Sequence, residues 1–284
     1  MLDQAQRLRQ LAADNENMDK ARIITVTSGK GGVGKSNFVV NLSIALSQMG
    51  KKVMIFDADV GMGNDDVLMG FLPKYNVFDV IFNGKEIEDV LVLGPNGVKL
   101  LPGGSGLSKI EELTDKQREG FIKKLEALKG LDYIIMDTGA GINRSVLGFV
   151  ACCEELIVLT TPEPTSLTDA YSLLKAISHF KIQKKAKVVV NRAIDEREAV
   201  HTFNKYNNAV TNFLKIKLEY LGSIAEDKKL VQAVRSQHPF ILSYPNCEAS
   251  HDINSIARKL IGTEDREEKV GVQGLFKKLF SIFS

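Results

Sequence analysis

The chain has 284 residues, 44% of them apolar and 25% charged, and its 37 basic and 35 acidic side chains leave a formal charge of +2. That balance fits a compact soluble protein of one large or two small domains and excludes collagen-like, disordered and multi-span membrane classes. Near-neutrality argues against a protein-wide nucleic-acid-binding field, so no direct nucleic-acid partner is expected. Three cysteines, Cys152, Cys153 and Cys247, are too few for a disulfide framework and suit a reducing cytoplasm.

Residues 1–21 place Leu2, Ala5, Leu8, Leu11 and Ala12 at the three-to-four spacing of a short amphipathic helix, followed by a polar stretch at 14–20. From residue 22 onward, β-rich runs at 23–27, 53–56, 98–101, 133–136, 156–160, 187–190 and 220–221 alternate with helical patterns. The helical patterns fall at 35–49, 115–128, 144–151, 167–180, 196–214, 228–234 and 252–261. This alternation predicts an α/β domain over 22–262, a doubly wound, mostly parallel sheet with helices on both faces. A charged linker follows at 263–270. The last segment, 271–284, is predicted to be a separate amphipathic helix with Leu275, Phe276, Leu279, Phe280 and Phe283 on its apolar side and Lys277 and Lys278 between them. At about 21 Å it is too short to cross a bilayer but fits the plane of an anionic membrane surface. Packing into a groove of its own domain is the competing expectation.

Directly after the first strand stands Gly29-Lys30-Gly31-Gly32-Val33-Gly34-Lys35-Ser36, the G-x-x-x-x-G-K-[ST] phosphate loop in strand–loop–helix context. Its glycines let backbone N–H groups converge on phosphate oxygens, and the helix N-terminus that follows adds its positive end. Gly31, Gly32, Val33, Gly34 and Asn37 frame the loop. Lys35 is placed to reach the β- and γ-phosphates and Ser36 to put its hydroxyl on Mg²⁺. The second strand closes on Asp57 and Asp59, two carboxylates on one side of the chain at the ligand-binding edge of such a sheet. Asp137-Thr138-Gly139-Ala140-Gly141 follows the fourth strand, and Asn191-Arg192 closes the sixth. No N-K-x-D guanine motif occurs. The four histidines are scattered without metal spacing.

The extra lysine, Lys30, is the deviant form of the loop, and with it the stretch 22–261 resembles the MinD/ParA family of dimeric P-loop ATPases. The resemblance implies a MinD-like P-loop NTPase fold with ATP and Mg²⁺ as ligands. It implies a homodimer formed around two ATP, with Lys30 reaching the partner's phosphates. Asp57 and Asp59 then belong to switch I, Asp59 orienting the attacking water and Asp57 supporting the metal shell. Asp137 would stand at the Mg²⁺ hydration shell in switch II, where Gly139 occupies a position often held by proline. Lys30, Lys35, Asp59 and Asp137 form the implied catalytic set, and Ser36, Asp57 and Asp137 the implied metal set. Asn191 and Arg192 are assigned to adenine, with 224–227 on its other side.

Asp3-Gln4-Ala5-Gln6-Arg7-Leu8-Arg9 is similar to the D-Q-A-x-x-L-R element of FlhG-type members, MinD-like regulators of flagellar number and placement. That likeness implies contact through Gln4, Leu8 and Arg9 with FlhF, a GTPase of the signal-recognition-particle type, and further partners in the flagellar basal body and C-ring. Membrane lipids would be met at the inner face of the cell membrane, with the protein peripheral there and otherwise cytoplasmic. A slow ATP-hydrolysing, dimerising switch is the expected function. A septum-positioning MinD-type or a DNA-segregating ParA-type ATPase is the alternative.

Overall fold

The structure, a computed structural model, describes residues 21–59, 65–104, 113–128, 130–262 and 271–283. Gln4, Leu8 and Arg9 lie outside the described residues, as does the linker at 263–270. Eight strands form one sheet in the order β3-β4-β2-β5-β1-β6-β7-β8. They are β1 (Arg22–Ser28), β2 (Val53–Ala58), β3 (Val92–Leu93), β4 (Lys99–Pro102), β5 (Tyr133–Ala140), β6 (Glu155–Thr160), β7 (Lys185–Ala193) and β8 (Lys217–Ala225). Every pairing is parallel except β3 with β4. The doubly wound expectation holds, with a short antiparallel edge added.

The central strands are buried on both faces, β2 along its whole length and β1 from Ile23 onward, which is why they read as unbroken apolar runs. One face carries α1 (Lys35–Gln48), α9 (Lys228–Arg235), α10 (Phe240–Ser243) and α11 (Glu248–Gly262). On the other pack α3 (Val77–Phe82), α4 (Ile87–Val90), α5 (Asp115–Lys124), α6 (Arg144–Cys152), α7 (Pro164–His179), α8 (Glu196–Leu214) and α12 (Gly271–Phe283), while α2 (Asp65–Leu68) lies beside α1. In α1 the nine residues from Phe38 to Leu46 are buried consecutively, as befits a helix enclosed between the sheet and α11. β1 lies between β5 and β6, and the chain leaves it toward β2 on one side and enters β6 on the other. The strand order therefore changes direction beside β1, and the phosphate loop opens from that point.

The terminal helix is docked. Leu275, Phe276, Leu279, Phe280 and Phe283, read from sequence as membrane-facing, are all buried in the main core. Phe276 packs edge-on against Phe56 of β2 and Phe121 of α5, with ring centroids 5.3 and 4.9 Å away. Gly148 of α6 makes room for the end of the helix, since a Cβ there would lie 2.5 Å from the Phe283 ring. Among the described residues, no helix is long and apolar enough to cross a membrane.

Candidate nucleotide site

The loop from Gly29 to Gly34 turns on two left-handed glycines, Gly32 at φ 74° and Gly34 at φ 98°. A side chain at either would be strained, and one at Gly34 would also collide with the Asn191 amide at 2.5 Å. Gly29 packs so closely that a Cβ would come within 2.0 Å of the Asp169 backbone in α7. Gly34 is also the N-cap of α1, so no side chain caps that helix and its first turn holds no acid. Its leading N–H groups therefore remain available to an anion.

Asn191 and Arg192 fasten this loop from the end of β7. The Asn191 amide donates to the Val33 carbonyl at 2.7 Å, and the Arg192 guanidinium donates to the Gly32 carbonyl at 2.9 Å. β7 runs on to Ala193, beyond the expected 190, by bulging at Arg192, whose φ is 58°. Beside the pair opens a cavity of about 470 Å³ lined by Asn37, Phe38, Ile224, Asp227 and Leu230 among others. Asn191, Arg192 and the 224–227 segment thus line one cavity beside the loop.

Lys30 lies on the exposed rim, where its ammonium donates to the Glu163 carboxylate at 3.1 Å and the Thr165 hydroxyl at 3.0 Å. Both partners of the ion pair are well exposed, at 39% and 59% of the side chain.

The acidic side of the site is tighter. β5 extends through Asp137 to Ala140, so the second switch segment begins inside the strand, where Asp57 and Asp137 sit in register. The Asp59 amide donates to the Asp57 carboxylate at 3.1 Å. Asp59 faces Gly139, where an added Cβ would stand 3.2 Å from the Asp59 carboxylate. The end of β5 thus lies close to the segment after β2, and a side chain at 139 would press on the Asp59 carboxylate.

Sequence reasoning passed over Asp65, at the start of α2. Its carboxyl is fully buried against those of Asp137 and Asp57, and among the described residues no N–H or alcohol O–H donates to either of its oxygens; one oxygen of Asp137 likewise lacks such a donor. Burial, with the charges of Asp137 and Asp57 added, holds Asp65 well above the usual carboxylate range. Burial also pushes Asp57 up to about 7, Asp137's charge adding to the effect and the backbone hydrogen bond from Asp59 opposing it. For Asp137 burial again leads, partly offset by the Ser36 hydroxyl and the Lys35 charge, and the carboxyl rises to about 6.

A model of the CobQ/CobB/MinD/ParA nucleotide-binding domain matches residues 24–240, most of the chain. The chain belongs to this family. It is 38% identical over 245 residues to the antiactivator FleN of Pseudomonas aeruginosa, covering 86% of this chain and 88% of the relative. The flagellum site-determining protein YlxH of Helicobacter pylori is 31% identical, with 93% and 91% covered. Among solved structures, the MinC:MinD cell division protein complex of Aquifex aeolicus aligns at 29% identity and a TM-score of 0.67, covering 89% of this chain and all of that one.

Within this family's nucleotide site the unpartnered oxygens have a chemical meaning. Buried acceptors without donors are costly unless a cation meets them, and a Ser36 hydroxyl with carboxylate oxygens is a donor set for a hard divalent ion. The residues therefore fit Mg²⁺. A measurable consequence follows from the raised carboxyls. Between about pH 4 and pH 7 the unfolded chain releases protons that the metal-free folded protein retains, so stability falls as pH rises through that window. Melting temperature without metal should accordingly drop from about pH 5 to about pH 8, and added Mg²⁺ should raise it more at the higher pH. Equal Mg²⁺ shifts at both values would contradict the assignment of these carboxyls to the metal.

Proposed function

We propose that the protein is an ATP-hydrolysing switch that dimerises around two Mg-ATP and regulates flagellar number or placement. The observation that carries this reading is Lys30, a second phosphate-loop lysine held at the open rim by an exposed ion pair. Such a pair contributes about 0–1 kcal/mol, so exchanging Glu163 for the phosphate of an apposed chain meets little resistance. Likeness to FleN and YlxH over most of the chain supports the flagellar setting.

In this reading the loop N–H groups and Lys35 grip the β- and γ-phosphates, while the Asn191–Arg192 edge and its cavity take adenine. Ser36, Asp57 and Asp137 hold Mg²⁺, which neutralises phosphate charge. Asp59 orients the water that attacks the γ-phosphorus, and Lys30 from the second chain offsets charge that spreads over the γ-oxygens in the transition state. Loss of the γ-phosphate removes the contact that Lys30 bridges, and the lysine returns to Glu163 and Thr165. Near-complete switching requires roughly 10⁴-fold preference of the dimer for ATP over ADP.

The termini connect the switch to its surroundings. Gln4, with Leu8 and Arg9, contacts FlhF and stimulates its GTPase, and basal-body or C-ring proteins are the further partners. α12 leaves its groove for the inner membrane face, which offers its apolar residues comparable burial. Hydrolysis per chain should rise with protein concentration in the wild type and stay low and flat in Lys30→Ala. Equal, concentration-independent rates in both would overturn the dimeric mechanism. FlhF GTPase stimulation should likewise vanish in Gln4→Ala, and unchanged stimulation would remove that arm.

A further inference from the structure

The edge of the sheet opposite the nucleotide loop carries a dense cationic surface that the switch mechanism does not use. Residues 179–187 and 212–218 contain six lysines and no acid, in a chain whose formal charge is only +2. β7 and β8 bring the two segments together, pairing Lys185 with Lys217, and the Lys217 amide donates to the Lys184 carbonyl at 3.0 Å. Lys187 is engaged by Glu155 at 2.7 Å, while Lys181, Lys184, Lys215 and Lys217 are exposed. Two phenylalanines stand among them, Phe180 at 61% and Phe213 at 74% exposed. Lys181 and Lys215 occupy left-handed positions, φ 55° and 56°, just beyond the ends of α7 and α8, where glycine is the usual residue. Ser178 ties those ends together by donating to the Leu214 carbonyl at 2.7 Å.

We infer that this surface is a docking face for anionic phospholipid bilayers, separate from the apolar side of α12. Two properties select that partner. The cations are all lysines, point charges on flexible stems that suit a fluid array of headgroups better than fixed bidentate recognition. The phenylalanines project beside helix ends, amphipathically placed to enter the headgroup boundary.

The location gives the surface a role. With the apolar side of α12 buried, first contact with a membrane must be made by groups already exposed. Gln183 donates to the Val150 and Cys153 carbonyls at the end of α6, and the Lys278 charge on α12 bears on Cys152 at that same end. The cationic face thus adjoins the helix that is to be released. It also points away from the nucleotide loop, so its binding is independent of ATP and of dimerisation.

Co-sedimentation of the full chain without nucleotide, on vesicles of phosphatidylcholine alone or mixed with phosphatidylserine, tests this. Wild type should bind the anionic vesicles, weakly and only at low salt. Each lysine near such a surface contributes about a fivefold gain, so Lys181→Gln, Lys184→Gln and Lys215→Gln together should weaken binding on the order of a hundredfold. Phe180→Ser with Phe213→Ser should weaken it further at unchanged charge. All five residues are exposed, and ADP affinity and melting temperature serve as folding controls. Binding by the triple lysine variant equal to wild type, equal binding to neutral and anionic vesicles, or capture of single-stranded oligonucleotide without vesicle binding would each overturn the inference. ADP affinity and ATP-dependent mass reported alongside keep such a failure distinct from failure of the ATP switch.

Discussion

Lys35→Ala is expected to lower ATP hydrolysis about 10²–10³-fold, the effect of deleting one charge-stabilising donor from a preorganised site. Lys35 opens α1 at the phosphate loop, and its charge already acts on the neighbouring Asp137 carboxyl. Removing it leaves the left-handed glycines, the uncapped helix start and the Asn191 and Arg192 clasps intact, because none of these uses the lysine. ADP binding should therefore weaken by far less than hydrolysis does. Phosphate release and titration with a fluorescent ADP measure the two quantities. Hydrolysis within tenfold of wild type would show that this lysine does not meet the reacting phosphate.

The second large effect concerns stability. Phe276→Ala in α12 should cost about 3–5 kcal/mol, the range for removing a buried aromatic ring. Phe276 is 2% exposed and touches rings on β2 and α5, so the hole it leaves lies in the main core rather than at its margin. Chemical denaturation of the full chain measures this, and a loss below about 1 kcal/mol would mean that α12 is undocked in solution. Since a fully buried leucine or phenylalanine contributes roughly 1.5–3 kcal/mol, release of α12 into water is strongly unfavourable. In the proposed switch a membrane interface would restore comparable burial, and the lipid surface itself would then be the trigger for release.

The phosphate loop was legible because its chemistry is local: glycines at fixed spacing, a lysine and a serine between a strand and a helix. The central strands were legible because burial on both faces leaves an unbroken apolar run. Asp65 was not, since two acids after a glycine-rich turn look like solvated charge until tertiary packing encloses one of them. The ends of β5 and β7 were placed too early because Asp137, Asn191 and Arg192 are polar residues held in strand pairing by neighbours. β3, α2, α3 and α4 are too short to display a period. For α12 the amphipathic pattern correctly required a covered face, but periodicity cannot say whether lipid or protein covers it, and in this structure the cover is Phe56, Phe121 and Phe149.

Particle mass by light scattering, with ATP, with ADP and without nucleotide, addresses the switch most directly when the Asp59→Ala variant is used to prevent turnover. Two chains per particle with ATP and one in the other two conditions is the predicted result. The same mass in all three would contradict it.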